Sequence, residues 1–401
     1  MEIDIGRGKK GRRAYGFDDI AIVPSRRTRD PDDIDISWTL GPYRFELPLV
    51  ASAMDGVVSP DTAVLVNELG GLGVLNLEGI WTRFENAEEQ LEKIAAAPKH
   101  EATKIMQEIY TQPVKPELIG RRIAEIKERG AVACGSLTPQ KVREHYEIAV
   151  EAGIDILVIQ GTVISAEHVS TTVEPLNLKE FIAEVPVPTV VGGCASYSTG
   201  LHLMRTGAVG VLVGVGPGAA CTTRGVLGIG VPQATAIADV AAARSQHMLE
   251  TGEYVNVIAD GGMRTGGDVS KAIAVGADAV MVGSPLARAK EAPGRGFHWG
   301  MATFHPSLPR GTRVSTRQDG TMEEILLGPA QENDGTFNLM GALKTSMATT
   351  GYEDIRSFQR AEVMVAPALM SEGKKLQTEQ AVGMGSNGRA AVSAGVGVAD
   401  D

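Results

Sequence analysis

Between residues 47 and 283 the chain alternates two patterns of apolar and polar positions. Short, nearly unbroken apolar runs give way to longer stretches in which apolar residues return every three or four positions. The runs are LPLVASA (47–53), LGVLN (72–76), AVACG (131–135), AGIDILVIQ (152–160), VPTVVGG (187–193), TGAVGVLVG (206–214), VNVIAD (255–260) and VGADAVMVG (275–283). A run without polar alternation suits a parallel strand covered on both faces. The runs at 152, 206 and 275 share one design, with a glycine where a preceding helix would end. Glycine accepts the left-handed conformation that closes a helix. Helical patterns precede them, as in TPQKVREHYEIAVEAG and GGDVSKAIAVG, and Pro139 stands near the start of the first.

Eight strands alternating with helices predict an α/β fold with a parallel sheet, closed as a (β/α)8 TIM barrel, with a long doubly wound sheet as the alternative. Residues 1–47 are expected to form an arm and hairpin ahead of the barrel. Residues 84–130 are charged and helical, broken by Pro98, Pro113 and Pro116, and form an insertion after the second strand. Residues 285–345 are rich in loop formers. One catalytic domain is expected over 1–380. The stretch from 381 to 401, built of small residues, reads as a flexible tail.

Composition narrows the class. The chain has 401 residues, 43% of them hydrophobic, and a formal net charge of -11. An acidic chain is not built to coat nucleic acid or an anionic membrane. Its three cysteines, Cys134, Cys194 and Cys221, are an odd and small number with no CxxC pair. That favours a reducing compartment and gives no zinc signature. A basic run near the N-terminus has no apolar stretch beside it, so it does not read as a secretory signal. The uncharged run from Thr206 to Thr223 holds five glycines and a proline, which suits a strand entering a loop rather than a membrane helix. The expectation is a soluble cytoplasmic protein.

Barrel enzymes place their chemistry at the C-terminal ends of the strands, so the residues just after each strand carry the functional reading. Ser52 and Met54 follow the first. Asp260, Gly261 and Gly262 follow the seventh, and Gly283 and Ser284 the eighth. Loops after strands seven and eight commonly hold a phosphate through backbone N–H groups. Asp260 would then accept hydrogen bonds from two ribose hydroxyls; the structural alternative is that it caps a helix.

After the sixth strand comes GPGAACTTRGVLGIG (216–230). Free cysteines are usually buried small hydrophobes, which fits Cys134 and Cys194. Cys221 instead lies in a loop beyond a strand end, beside Thr222, Thr223 and Arg224. A thiol attacks as its thiolate, and a free thiol ionises only near about 8.5. Backbone N–H groups, Arg224 or a bound cation could raise the ionised fraction. His298 and His305 lack the further ligands that a metal site would need.

The stretches YGFDDIAIVPS, PLVASAMDGVVSP, GPGAACTTRGVLGIGVPQATAI, VIADGGMRTGGDVSKAIAVGADAVMVGSPLA, GRGFHWGM and GALKTSM resemble the IMP dehydrogenase/GMP reductase family over roughly Tyr15 to Tyr352. The likeness is greatest to the short branch known in cyanobacteria and actinobacteria. Other IMP dehydrogenases carry paired CBS modules after the second strand, where this chain has only residues 84–130.

The resemblance implies that Cys221 attacks C2 of IMP, hydride passes to NAD, and water hydrolyses the resulting thioimidate to XMP. It makes Thr223 the threonine that helps activate water or the leaving group. Asp260 becomes the ribose aspartate, and Gly261, Gly262, Gly283 and Ser284 the phosphate-end residues. Ser52, Met54, His298, Gly300 and Met301 become further substrate contacts. Gln160, Gly193 and Gly214 fall at cofactor positions. Carbonyls of Gly216, Gly218 and Cys221 would hold a potassium ion, and the chain would assemble as a homotetramer or octamer.

Several positions depart from the family pattern. Ala219 replaces a phosphate-binding serine, Gln160 an aspartate that seats NAD, Gly193 an asparagine, and His298 a tyrosine that reaches phosphate. The segment 302–329 lacks the family's Arg-Tyr pair, whose arginine activates water. Arg310 and Arg313 are the candidates for a substitute, Glu323 or Glu324 could act through Thr223, and a solvated loop charge is the alternative for each. GMP reductase, which shares the cysteine and threonine, lacks both that pair and the CBS modules. A flavin-dependent barrel oxidoreductase and a non-catalytic nucleotide-binding relative are the other readings.

Overall fold

The computed structural model of the protein describes residues 2–164, 175–300, 313–366, 373–380 and 382–383. Eight strands close into one parallel barrel: β1 (Leu49–Ala51), β2 (Leu72–Asn76), β3 (Cys134–Leu137), β4 (Ile156–Gln160), β5 (Thr189–Cys194), β6 (Gly210–Val213), β7 (Asn256–Asp260) and β8 (Ala279–Val282). Each strand pairs with its neighbours in the sequence, and β8 closes on β1 through Val280–Leu49, Met281–Val50 and Val282–Ala51. All eight apolar runs thus become strands of a (β/α)8 barrel.

The third strand begins three residues later than its apolar run suggests. The reason is Asp155, whose carboxylate accepts the N–H of Ala133 at 2.8 Å, so a side chain takes the place of a strand partner there. The strand then continues through Ser136 and Leu137, both fully buried.

Two apolar cores result. An outer one lies between the strands and the helices. The inner one fills the barrel with Val50, Val74, Ile156, Val190, Leu212 and Ile258, among others. The hairpin of Trp38–Leu40 and Tyr43–Phe45 closes the barrel's N-terminal end, because Trp38, Leu40 and Phe45 are buried and join that inner core. Cys134 belongs to the inner core and Cys194 to the outer one. Burial pushes both thiols up, that of Cys194 to about 12.

Helices pack around the barrel. The expected insertion after β2 is present as α1 (Ala87–Ala96), α2 (Ala102–Tyr110) and α3 (Pro116–Lys127), the last with Pro116 in its first turn. After the barrel, Phe297–His298 pairs with Val314–Ser315, and Val363–Val365 returns to pair with Ile20–Ile22. The expected tail lies outside the described residues apart from 382–383.

Candidate active site

The C-terminal ends of the strands surround a cavity of about 220 Å³. Of the residues singled out by sequence, Ser52, Met54, Gln160, Gly214, Gly216, Gly218, Cys221, Asp260, Gly261, Gly262, Gly283, Ser284, His298 and Gly300 line it. Thr223 is buried directly behind Cys221. Gly193 lies inside β5 rather than after it and packs against Gly214, where an added Cβ would meet the Gly214 carbonyl at 2.5 Å. Met301 and Arg310 lie outside the described residues. Sequence reading overlooked Thr138, Gly161 and Thr162 on the cavity wall. The signal was available, since they follow β3 and β4 as the other site residues follow their strands.

The cysteine loop is tied at its neck. Arg224 donates from Nε to the carbonyl of Val215 at 3.2 Å and from Nη2 to that of Val231 at 2.6 Å. Its stem crosses Gly216, where a Cβ would lie 2.8 Å from it. The guanidinium therefore holds the two ends of the loop together, a duty the sequence did not reveal. Within the loop, the Cys221 N–H turns back to the Gly218 carbonyl at 3.1 Å. The thiol of Cys221 donates to Thr223 Oγ1 at 3.1 Å. The nucleophile candidate is half-buried on the cavity wall, and its hydroxyl partner is shielded from solvent.

Asp260 ends β7. Its Oδ2 accepts from Gln160 Nε2 at 3.2 Å, and burial pushes its carboxyl up to about 6. The helix after β7, Gly266–Ala274, is capped by Thr265 in a box with Asp268. The capping alternative for Asp260 is thereby removed, and its carboxylate is left facing the cavity with one amide donor. The N–H of Gly261 donates to the Met281 carbonyl at 2.9 Å. That N–H closes the barrel ladder, so Gly261 serves the cavity as wall rather than as an anion donor. Gly283 is needed for space, because a Cβ there would lie 2.5 Å from Met54 Sδ.

Ser284 and His298 form a pair, with Oγ and Nε2 2.8 Å apart. His298 is completely buried, its Nδ1 has no partner among the described residues, and burial pushes the ring down to about 4. The imidazole is therefore neutral at neutral pH. An orphaned buried N–H is rarer than an orphaned acceptor. The favoured tautomer thus carries its proton on Nε2 and donates to Ser284. The serine hydroxyl proton is then free to point into the cavity at an anion.

Two of the alternatives for a water-activating group have other duties. Arg313 donates to the carbonyls of Ile94 and Ala95 at the end of α1 and lies 4.1 Å over the Phe297 ring. Glu324 closes a capping box with Thr321 and accepts from Gln331. Glu323 is exposed on the same short helix.

A half-buried thiol at the C-terminal mouth of a (β/α)8 barrel, sharing its cavity with a half-buried carboxylate and a serine–glycine recess, is the layout of a barrel enzyme. The chain belongs to the IMP dehydrogenase/GMP reductase family, whose domain model matches residues 14–375. It is 46% identical over 372 residues to an uncharacterized oxidoreductase of Mycolicibacterium smegmatis, covering 90% of this chain and 99% of that protein. It is 33% identical over 306 residues to the inosine-5′-monophosphate dehydrogenase of Borreliella burgdorferi, covering 70% and 72% of the two chains. The crystal structure of an IMP dehydrogenase/GMP reductase-like protein from Corynebacterium glutamicum superposes with a TM-score of 0.87 at 45% identity, over 91% of this chain and 97% of that one.

Proposed function

We propose that the protein is an NAD-dependent IMP dehydrogenase that converts IMP, NAD and water to XMP, NADH and a proton. The observation that carries this reading is the Cys221–Thr223 pair at a cavity whose other walls hold Asp260 and the Ser284–His298 pair. Ser284 donates its hydroxyl to the phosphate, and Asp260 accepts the ribose hydroxyls. With the nucleotide fixed at both ends, the purine C2 meets Cys221 Sγ. The sulfur forms a bond to C2, and bound NAD supplies an acceptor for the hydride that leaves that carbon. Water then adds to C2, the C–S bond breaks, and the thiol is restored. Covalent catalysis of this kind divides one difficult step into two easier ones. Thr223, in contact with Sγ, takes part in proton movement at the sulfur and the incoming water.

Gln160, Gly193 and Gly214 are proposed for the cofactor side; Gln160 and Gly214 stand on the cavity wall. The carbonyls of Gly216, Gly218 and Cys221 suit potassium, a hard cation that takes oxygen ligands. The Gly218 carbonyl already accepts the Cys221 N–H, and its second lone pair is the one available. Arg310 is proposed to activate water. A homotetramer or octamer in the cytoplasm, with purine nucleoside monophosphates as partners and neither nucleic acid nor membrane, completes the reading. Among the described residues no helix is long and apolar enough to cross a membrane.

GMP reductase is the second reading, favoured by the missing Arg-Tyr pair in 302–329 and by the structural duties of Arg313 and Glu324. Turnover decides between them. XMP formed from IMP and NAD supports the dehydrogenase. Oxidation of NADPH on addition of GMP, with release of ammonia and no XMP from IMP, replaces it with the reductase.

A further inference from the structure

The insertion after β2 reaches back to the cavity through one hydroxyl. Tyr110, the last residue of α2, donates its O–H to Oδ2 of Asp55 and accepts the indole N–H of Trp299 at 2.8 Å. Asp55 follows Met54 in the loop after β1, and Trp299 stands between His298 and Gly300. Met54, His298 and Gly300 line the cavity, while Asp55 and Trp299 are buried. The hydroxyl thus joins two walls that are 244 positions apart in the chain, as counted from Asp55 to Trp299.

The surroundings fix this junction. Asp55 Oδ2 also accepts the Ile80 N–H at 3.1 Å, and its backbone carbonyl accepts the indole N–H of Trp81 at 3.4 Å. Gly79 passes so close that a Cβ there would lie 1.9 Å from Asp55 Oδ1. Arg83 lies 5.7 Å over the Tyr110 ring and donates to the Gln112 carbonyl, which anchors the end of α2. The donors run one way, from Trp299 through Tyr110 to the Asp55 carboxylate. Hydrogen bonds in such a chain polarise and strengthen one another.

We propose that Tyr110 is a positioning residue for the nucleotide cavity, its hydroxyl holding the Met54 wall and the His298–Gly300 wall in register. The proposal rests on the reading of the cavity as a purine nucleotide site. Tyr110 is not among the residues that line the cavity and reaches its walls through Asp55 and Trp299. Phenylalanine at this position keeps the ring and its packing, so its effect isolates the hydroxyl. The Trp299 N–H and the Asp55 carboxylate each lose a partner, while the packing of Gly56 against Phe297 and Trp299 remains.

The test uses the full chain with Tyr110→Phe, Trp299→Phe and the double variant. Calorimetric titration with IMP gives the Kd, and thermal unfolding is followed in parallel. Each single substitution is expected to raise the Kd about tenfold, the size of one lost hydrogen bond. The double variant is expected to bind no more weakly than the weaker single, since both act through one hydroxyl. An unchanged Kd with a lowered Tm, or losses that simply add, overturns the proposal and leaves Tyr110 as structural cement. If Tyr110→Phe fails to fold, Trp299→Phe carries the test, because it leaves the Tyr110–Asp55 bond intact. Wild-type protein that binds neither IMP nor GMP overturns the reading of the cavity, and this proposal with it. Wild-type binding matched by Tyr110→Phe overturns this proposal alone.

Discussion

Replacing His298 with glutamine should make the protein more resistant to acid. The wild-type ring is completely buried and held near about 4, whereas a free imidazole titrates near about 6.5. Between those values the unfolded chain binds a proton that the folded chain refuses. His298 therefore withdraws stability as pH falls through 6.5 towards 4, and its contribution is level outside that window. One pKa unit corresponds to about 1.4 kcal/mol, so about 2 kcal/mol has been lost by pH 5. Asp55 and Asp260 work in the opposite sense. Burial raises both carboxyls to about 6, so the folded state keeps protons that the unfolded state releases. Their stabilisation is full below the ordinary carboxyl range and is lost as pH rises through 6. The wild-type profile alone thus mixes opposing contributions, and the difference between wild type and variant isolates the imidazole. Glutamine does not titrate, and its amide can still donate to Ser284. Urea unfolding, followed by tryptophan fluorescence and circular dichroism from pH 8 to pH 5, should show the variant gaining about 2 kcal/mol on the wild type. A difference that stays flat across that range would refute the buried neutral imidazole.

Other substitutions probe separate parts of the account. Thr223→Val keeps the shape beside Cys221 but removes the hydroxyl at 3.1 Å, and single-turnover kinetics should show adduct breakdown slowed by about a hundredfold. Gln160→Leu removes the amide donor to Asp260, which should raise that carboxyl above about 6 and move the acid limb of kcat/KM to higher pH; an unmoved limb speaks against the pairing. Asp278→Ala should cost about 3–5 kcal/mol in unfolding experiments, because it strands buried Arg244, whose Nη1 lies 2.7 Å from the Asp278 carboxylate.

The barrel was legible because a buried parallel strand imposes an apolar run whatever its neighbours do. All eight runs became strands, and the later start of β3 came from a side chain that satisfied the backbone ahead of the ladder. Residues immediately after strands were legible for the same reason, and most of the expected site residues meet at one cavity. Roles set by partners distant in sequence were not. Arg224 beside Cys221 suggested an electrostatic helper, yet its donors reach Val215 and Val231. Arg313 is held by Ile94, Ala95 and Phe297, more than two hundred positions away for the first two. Likewise, nothing local marks Tyr110, whose significance rests on Asp55 and Trp299 meeting at its hydroxyl.

In the proposed reaction Cys221 bonds covalently to the purine during turnover. Mass spectrometry of protein quenched after mixing with IMP and NAD reads that bond. A nucleotide adduct is expected on the peptide containing Cys221 and not in Cys221→Ser. An unmodified Cys221 peptide while XMP accumulates, or an adduct that persists in Cys221→Ser, rules the covalent mechanism out.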